Sequence, residues 1–241
     1  MRLEKIRAVA GVGLAGAILG CILGVTFSAI KSAHSEPPPV IAGPVRELHV
    51  PHLKGSIVLD GDMDDPGWEA DIARTGAFVD ETGGDARPYS DARLVWGDGH
   101  LYLALYAADE DIRATHTEPD GPVWMDDSFH LVFRSGSHER TFDVSPLGIL
   151  TDGQRSLGGA LEYRWQSGAH VSHELDGTMN HSSDDDEEWV IEMAIPFRAL
   201  GIRGEKGERV GLTLGRCDSP HRGPRVCAAW ARAGDGVLVL D

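Results

Sequence analysis

The side chains of this sequence whose types and spacing suit chemistry are one tryptophan with its neighbours, a run of carboxylates and a pair of cysteines. In Val123-Trp-Met-Asp-Asp127, Trp124 follows a Pro/Gly-rich stretch and precedes an alternating apolar run. An indole at the rim of a folded element can stack on the C–H face of a sugar ring, and adjacent carboxylates accept hydrogen bonds from its hydroxyls. Trp124, Asp126 and Asp127 are therefore a candidate ligand site. The plainer reading makes Trp124 a packed edge residue and the aspartates the end of a loop, and position alone does not choose between them.

Asp60-Gly-Asp-Met-Asp-Asp65 alternates carboxylates as a calcium loop does, with Asp60, Asp62 and Asp64 as candidate ligands. It lacks that loop's central glycine and terminal glutamate. A structural reading fits equally well: Asp60 ends a strand, and Asp64 or Asp65 caps the helical turn starting at Pro66. Calcium is the metal the spacing suggests, and no cofactor is required. Cys217 and Cys227 lie at the ends of two expected strands joined by a Pro/Gly-rich loop. Outside the cytoplasm such a pair is usually oxidised, and a bridge is expected; two free thiols are the alternative. Only His221 could add a nearby third ligand, which argues against zinc.

Catalytic patterns are poor. A glycosidase needs two carboxylates facing each other across a cleft, whereas Asp126 and Asp127 are consecutive and their side chains diverge. There is no nucleophile elbow, no HExxH and no phosphate loop. The domain is expected not to be an enzyme.

The elements that position these residues are short. Gly55–Leu59 reads as a strand ending at Asp60-Gly61. Asp91–Trp96 and His100–Ala108 read as strands joined by Gly97-Asp98-Gly99. The second is apolar on both faces, which marks a central strand. Ser128–Arg134 with Glu139–Ser145, and Leu161–Gln166 with Ala169–Leu175, read as hairpins around Gly136 and Gly168. Glu188–Ile195 alternates with period two, and Arg209–Arg216, Arg225–Ala231 and Gly236–Leu240 complete the set. Short strands with no long amphipathic helix predict an all-β fold, an antiparallel β-sandwich or jelly roll.

Ahead of this domain, residues 8–30 carry no charge and follow the basic MRLEKIR. As a helix they would extend about 34 Å, enough to cross a bilayer, and the flanking cations favour a cytoplasmic N-terminus. The segment is expected to anchor the protein, with two alternatives. One is cleavage as a signal peptide near Ser32-Ala33-His34-Ser35. The other is lipidation of Cys21 in Ile18-Leu19-Gly20-Cys21. Residues 36–46 hold three consecutive prolines and read as an extended linker. The organisation is thus 1–35 signal or anchor, 36–46 linker and 47–241 folded domain, the last lying outside the cytoplasm at the cell envelope. The chain's net charge is −16; residues 1–35 hold four basic residues and one acidic one, net +3, so the remainder carries −19. That surface repels phosphates and disfavours nucleic acid.

Several segments in order resemble the family 9 carbohydrate-binding modules. They are Ile57-Val-Leu-Asp-Gly-Asp-Met-Asp-Asp-Pro-Gly-Trp68, Ala92-Arg-Leu-Val-Trp-Gly-Asp-Gly-His-Leu-Tyr-Leu103, Val123-Trp-Met-Asp-Asp-Ser-Phe-His-Leu-Val-Phe133, Phe142-Asp-Val-Ser-Pro-Leu-Gly148 and Trp189-Val-Ile-Glu-Met-Ala-Ile-Pro-Phe-Arg-Ala-Leu-Gly201. The resemblance implies a β-sandwich that grips a glycan between two tryptophans and, in several members, holds structural calcium. Trp124 falls on the first gripping position. The loop after Trp230 holds no other aromatic residue, so the second does not carry over, and His130 replaces the family's usual glutamate. The expected function is non-catalytic binding of a polysaccharide or oligosaccharide by an envelope-tethered module, in the service of carbohydrate catabolism. Two other functions compete: an envelope sandwich that binds another protein, and a haem b domain in which Met125 pairs with His130 or His116.

Overall fold

The structure is a computed structural model describing residues 45–69, 71–231 and 235–241. The anchor segment at 8–30 lies outside the described residues, as do most residues of the linker. Among the described residues, no helix is long and apolar enough to cross a membrane.

The described chain folds as two stacked sheets with almost no helix. The larger sheet runs β1 (Arg46–Val50), β12 (Asp235–Leu240), β10 (Arg209–Asp218), β5 (Ser128–Ser135), β6 (His138–Val144), β7 (Leu150–Ser156), with β11 (Val226–Ala229) also pairing with β10. The smaller runs β2 (Ala73–Arg74), β3 (Ser90–Gly97), β4 (His100–Ala108), β9 (Glu188–Pro196), β8 (His170–Asp176). Neighbouring strands are antiparallel except β1 and β12, which pair in parallel. The antiparallel β-sandwich expected from the alternation is the fold found.

Period-two alternation builds the core. Phe129, Leu131 and Phe133 of β5 meet Leu101, Leu103 and Leu105 of β4 and Trp189, Ile191 and Met193 of β9, all fully buried. Strand β4 lies between β3 and β9, so both its faces are covered. Its second face, with Ala104 and Tyr102, packs against Trp68, Leu53 and Ile57 from the segment that crosses the outside of the small sheet. The β3–β4 hairpin turns on Asp98-Gly99, both at positive φ, as a two-residue turn requires.

Three sequence expectations are corrected. Gly55–Leu59 forms no strand; it is an irregular loop in which Val58 donates its N–H to the Asp65 carboxylate, 2.6 Å away, so Asp65 serves this loop instead of capping the turn α1 (Pro66–Glu69). The segment 161–166 makes only a lone bridge, Glu162 to Gln154, while β8 pairs with β9, so the expected hairpin around Gly168 does not form. Arg46, assigned to the linker, already begins β1; its guanidinium lies over the Trp230 ring, 5.2 Å from its centroid.

The outer segment is fastened by Glu192 of β9. This residue is fully buried and accepts N–H groups from Gly61 (2.8 Å), Asp60 (3.0 Å) and the Trp68 indole (2.7 Å). Alternation puts Glu192 on the face of β9 opposite the core; the outer segment covers that face, and the carboxylate satisfies three donors there at once.

Candidate carbohydrate site and an acidic cluster

Trp124 lies in a 3-10 turn, Val123–Met125, that packs against β5 and β6. Val123 is buried and holds the turn in place, while Trp124 is 37% exposed and Met125 61%. Tyr163, 38% exposed, stacks on Trp124 with ring centroids 5.6 Å apart and planes 23° from parallel. It comes from the loop between β7 and β8, which folds back over β7; a side chain added at Gly153 would meet Leu161 at 3.2 Å. Two partly exposed aromatic rings therefore share one rim of the large sheet. A polar pair neighbours them. Asp143 of β6 is buried and holds the ring of half-exposed His130 on β5, Nδ1 to carboxylate 2.7 Å. Burial first, and then the Asp143 charge, raise the Tyr163 hydroxyl above its ordinary pKa.

Asp126 and Asp127 turn away from this rim. Asp126 is buried and accepts from the N–H groups of Thr115 (2.7 Å) and His116 (2.8 Å), the Thr115 hydroxyl (2.8 Å) and the His116 ring (3.0 Å). Burial raises its pKa, but these bonds outweigh it and hold the carboxyl below its ordinary value. Asp127 is fully buried and accepts from the N–H groups of Arg113 (2.5 Å) and Ser219 (2.6 Å). The consecutive carboxylates thus brace the loops around the turn that carries Trp124, and neither reaches the aromatic face. The sequence points to the tryptophan but not to Tyr163, which stands in a segment whose alternation reads as a strand.

Asp60, Asp62 and Asp64 are exposed. Asp62 raises the pKa of the Asp64 carboxyl, with burial next and Asp65 and Asp60 adding to it. Among the described residues, the acidic oxygens that gather closely are elsewhere: Asp109, Asp127 and Asp218, each buried, have carboxylate atoms within 4.8 Å of one another. The aspartates stand just past β4, just before β5 and at the end of β10, so the two sheets bring them together across long sequence separations.

The candidate haem ligands do not converge on a cavity. Nδ1 of His116 and of His130 is taken by Asp126 and Asp143, and Met125 is exposed. A cleft of about 870 Å³ and a second of about 540 Å³ beside it are lined by none of the three. Cys217 and Cys227 face each other on β10 and β11 and form the expected disulfide.

No family model matches the chain, and no curated protein matches it in sequence. Solved structures do match in fold. A putative carbohydrate-binding protein from Bacteroides uniformis covers 82% of this chain and 100% of its own at 15% identity, with a TM-score of 0.64. A family 9 carbohydrate-binding module from Caldicellulosiruptor kristjanssonii in complex with cellotriose covers 81% and 94% at 15% identity, TM-score 0.57. A family 9 module from the same organism in complex with glucose covers 81% and 96% at 15% identity, TM-score 0.54. The described domain is family 9-like in fold.

Proposed function

We propose that this domain binds a polysaccharide or oligosaccharide, without catalysing a reaction, on the exposed face of Trp124 backed by Tyr163. The observation that carries the reading is the stacked, part-exposed aromatic pair on a sandwich whose solved neighbours include modules in complex with cellotriose and glucose. Large aromatic faces left in water lose nothing on being covered by the C–H face of a sugar and gain apolar burial. His130, held by Asp143, supplies a polar group nearby.

The geometry favours a platform over a clamp. A sugar ring gripped between two aromatics needs them about 7–8 Å apart, twice the ordinary contact distance between carbons. Trp124 and Tyr163 at 5.6 Å touch each other and leave no such slot. A ring resting on one open face suits a chain lying along the surface.

Tethering and setting complete the proposal. The uncharged residues 8–30 support display of the domain from the envelope, outside the cytoplasm, and the −19 charge of the rest of the chain supports neutral glycans over nucleic acid as partners. A module with no facing pair of carboxylates on its aromatic rim would serve catabolism by holding polysaccharide near enzymes that cut it. A glycan array followed by isothermal titration of the full chain with cello-, xylo- and manno-oligosaccharides tests this reading. Binding of one series at 10 µM to 1 mM, about −7 to −4 kcal/mol, is expected of a shallow hydrated site. No binding of any glycan at millimolar concentration overturns it in favour of a protein-binding sandwich.

A further inference from the structure

We propose that the domain carries a second glycan-binding face on the outer side of the small sheet, built on Tyr89 and Tyr106, so that one module holds two saccharide chains on opposite sides of the sandwich. The ligand class of this face rests on the sugar-binding reading above, to which it adds a site.

The outer segment covers only part of the small sheet. Ala104 of β4 is fully buried beneath it, while Tyr106, two residues further along the same face, is half-buried. Strand register places Asp91 of β3 on one side of Tyr106 and Val190 of β9 on the other, with Glu174 of β8 beyond. Tyr89 stands just before β3 and is 43% exposed. It meets Tyr106 with ring centroids 6.0 Å apart and planes at 60°. Such a tilted, edge-on contact lets Tyr106 prop the Tyr89 ring while much of that ring stays in water.

Polar groups surround the pair as sugar hydroxyls require. The Tyr89 hydroxyl donates to Asp91 at 2.7 Å, and the Tyr106 hydroxyl donates to Glu188. Burial first, and then the bonded carboxylate, raises each phenol to about 12. Both rings therefore stay neutral, and each carboxylate keeps lone pairs for further donors. Glu174 and Glu188 also line a depression of about 370 Å³ beside Tyr106, together with Val190. Arg93, two residues beyond Asp91 on the same face of β3, adds donors for sugar oxygens.

These features select the occupant. Asp91, Glu174, Asp176 and Glu188 outnumber Arg74 and Arg93, so the face is acidic and repels an anionic chain. An apolar partner would bury those carboxylates without hydrogen bonds, at a large cost. A neutral saccharide covers the Tyr89 ring with C–H groups and gives its hydroxyl protons to the carboxylates, which satisfies both. The Trp124 rim lies on the large sheet and Tyr89 on the outside of the small one. Packed sheets stand about 10 Å apart, so the body of the sandwich separates the two chains.

Equilibrium dialysis of the full chain against cello-, xylo- and manno-oligosaccharides, carried to saturation, counts the sites. The unmodified protein should bind two ligands of one series per chain. Tyr89→Ala and Trp124→Ala should each bind one, and the double variant none. Tyr89→Phe keeps the ring and drops only the hydroxyl, and should still bind two. The tyrosine ring is smaller than the indole, so the ligand kept by Trp124→Ala should be the weaker one. A single ligand that Trp124→Ala removes and Tyr89→Ala leaves in place overturns this proposal while the aromatic rim stands. A single ligand that Tyr89→Ala removes overturns the rim and the two-chain arrangement, with sugar on the small sheet alone. Binding of no ligand overturns both. If Tyr89→Ala fails to fold, the counts for the unmodified protein and for Trp124→Ala decide the matter: two and one uphold the second face, one and none overturn it.

Discussion

Trp124→Ala is the sharpest perturbation of the aromatic rim. A tryptophan carries about 250 Å² of buriable surface. With 37% of it exposed, about 90 Å² is available for a sugar to cover. At about 25 cal/mol per Å² that area contributes about 2 kcal/mol, or a loss of about thirtyfold in affinity on truncation. Tyr163→Ala acts one step removed: it leaves the Trp124 face in place but removes the ring that fixes its orientation. An aromatic pair of this kind contributes about 0.5–1.5 kcal/mol, so affinity should fall about twofold to tenfold. Tyr163→Phe keeps the stacking and should bind nearly as the unmodified protein does. The assay is isothermal titration against the best glycan of the array, with thermal unfolding as the folding control; both rings are partly exposed, so neither truncation should unfold the domain. Unchanged affinity in a folded Trp124→Ala protein would place the sugar elsewhere and refute the reasoning from exposed aromatic area. A larger loss in Tyr163→Ala than in Trp124→Ala would reverse the roles assigned to the two rings.

Other outcomes follow from the fold. Reducing the Cys217–Cys227 bridge, or substituting Cys227→Ser, should lower stability by about 2–3 kcal/mol in denaturant titrations; an unchanged midpoint would show that the β10–β11 pairing holds without it. Glu192→Gln presents an amide N–H to the Trp68 indole or to the Asp60 and Gly61 donors, and should cost about 1–3 kcal/mol. Burial holds the Glu192 carboxyl above its ordinary pKa although the Gly61, Trp68 and Asp60 bonds oppose it. The folded state therefore keeps this proton more tightly than the unfolded state, and the group's contribution to stability is greatest below pH 4.5 and declines as pH rises to its folded value. In Glu192→Gln that part of the pH dependence should vanish; an identical profile would assign it to other groups. The uncharged stretch 8–30 predicts recovery in the membrane pellet after high-salt washing. Full-length protein in the soluble fraction would refute anchoring, and a soluble form lacking residues 1–35 would mean cleavage.

The sandwich is legible in the sequence because its alternation is strict: Phe129, Leu131 and Phe133, or Trp189, Ile191 and Met193, put every second side chain into one core. The disulfide is legible because its cysteines end adjacent strands. Local pattern is a poor guide to strands whose pairing is long-range or whose faces are polar. Strand β1 depends on a partner 190 residues away (Arg46 with Gly236), and β7 carries polar residues and a glycine that leave no apolar signature. The site is half legible. Trp124 announces itself by a Pro/Gly approach, but Tyr163 meets it only through the path of an irregular loop. The roles of Asp126 and Asp127 are not written in their neighbours, because the N–H groups they accept belong to residues 113–116 and 219. Asp109, Asp127 and Asp218 likewise share no local pattern.

The parallel pairing of β1 with β12 has a kinetic side. Among the described residues, 46–50 find their strand partner in residues 236–240, and β12 stands between β1 and β10 as an interior strand of the large sheet. Closing a loop of 190 residues carries an entropic penalty of about 5 kcal/mol by the logarithmic rule, met before that pairing returns any contact energy. The hairpins β3–β4 and β5–β6 close over a few residues and can form early, whereas the sheet gains its β12 and β1 strands only after residue 240 has left the ribosome. A chain emerging from its N-terminus thus lacks the partner of one edge of β10 until synthesis of this domain is finished. Pairings of such sequence separation form slowly, so the large sheet is expected to complete its β1–β12 edge last.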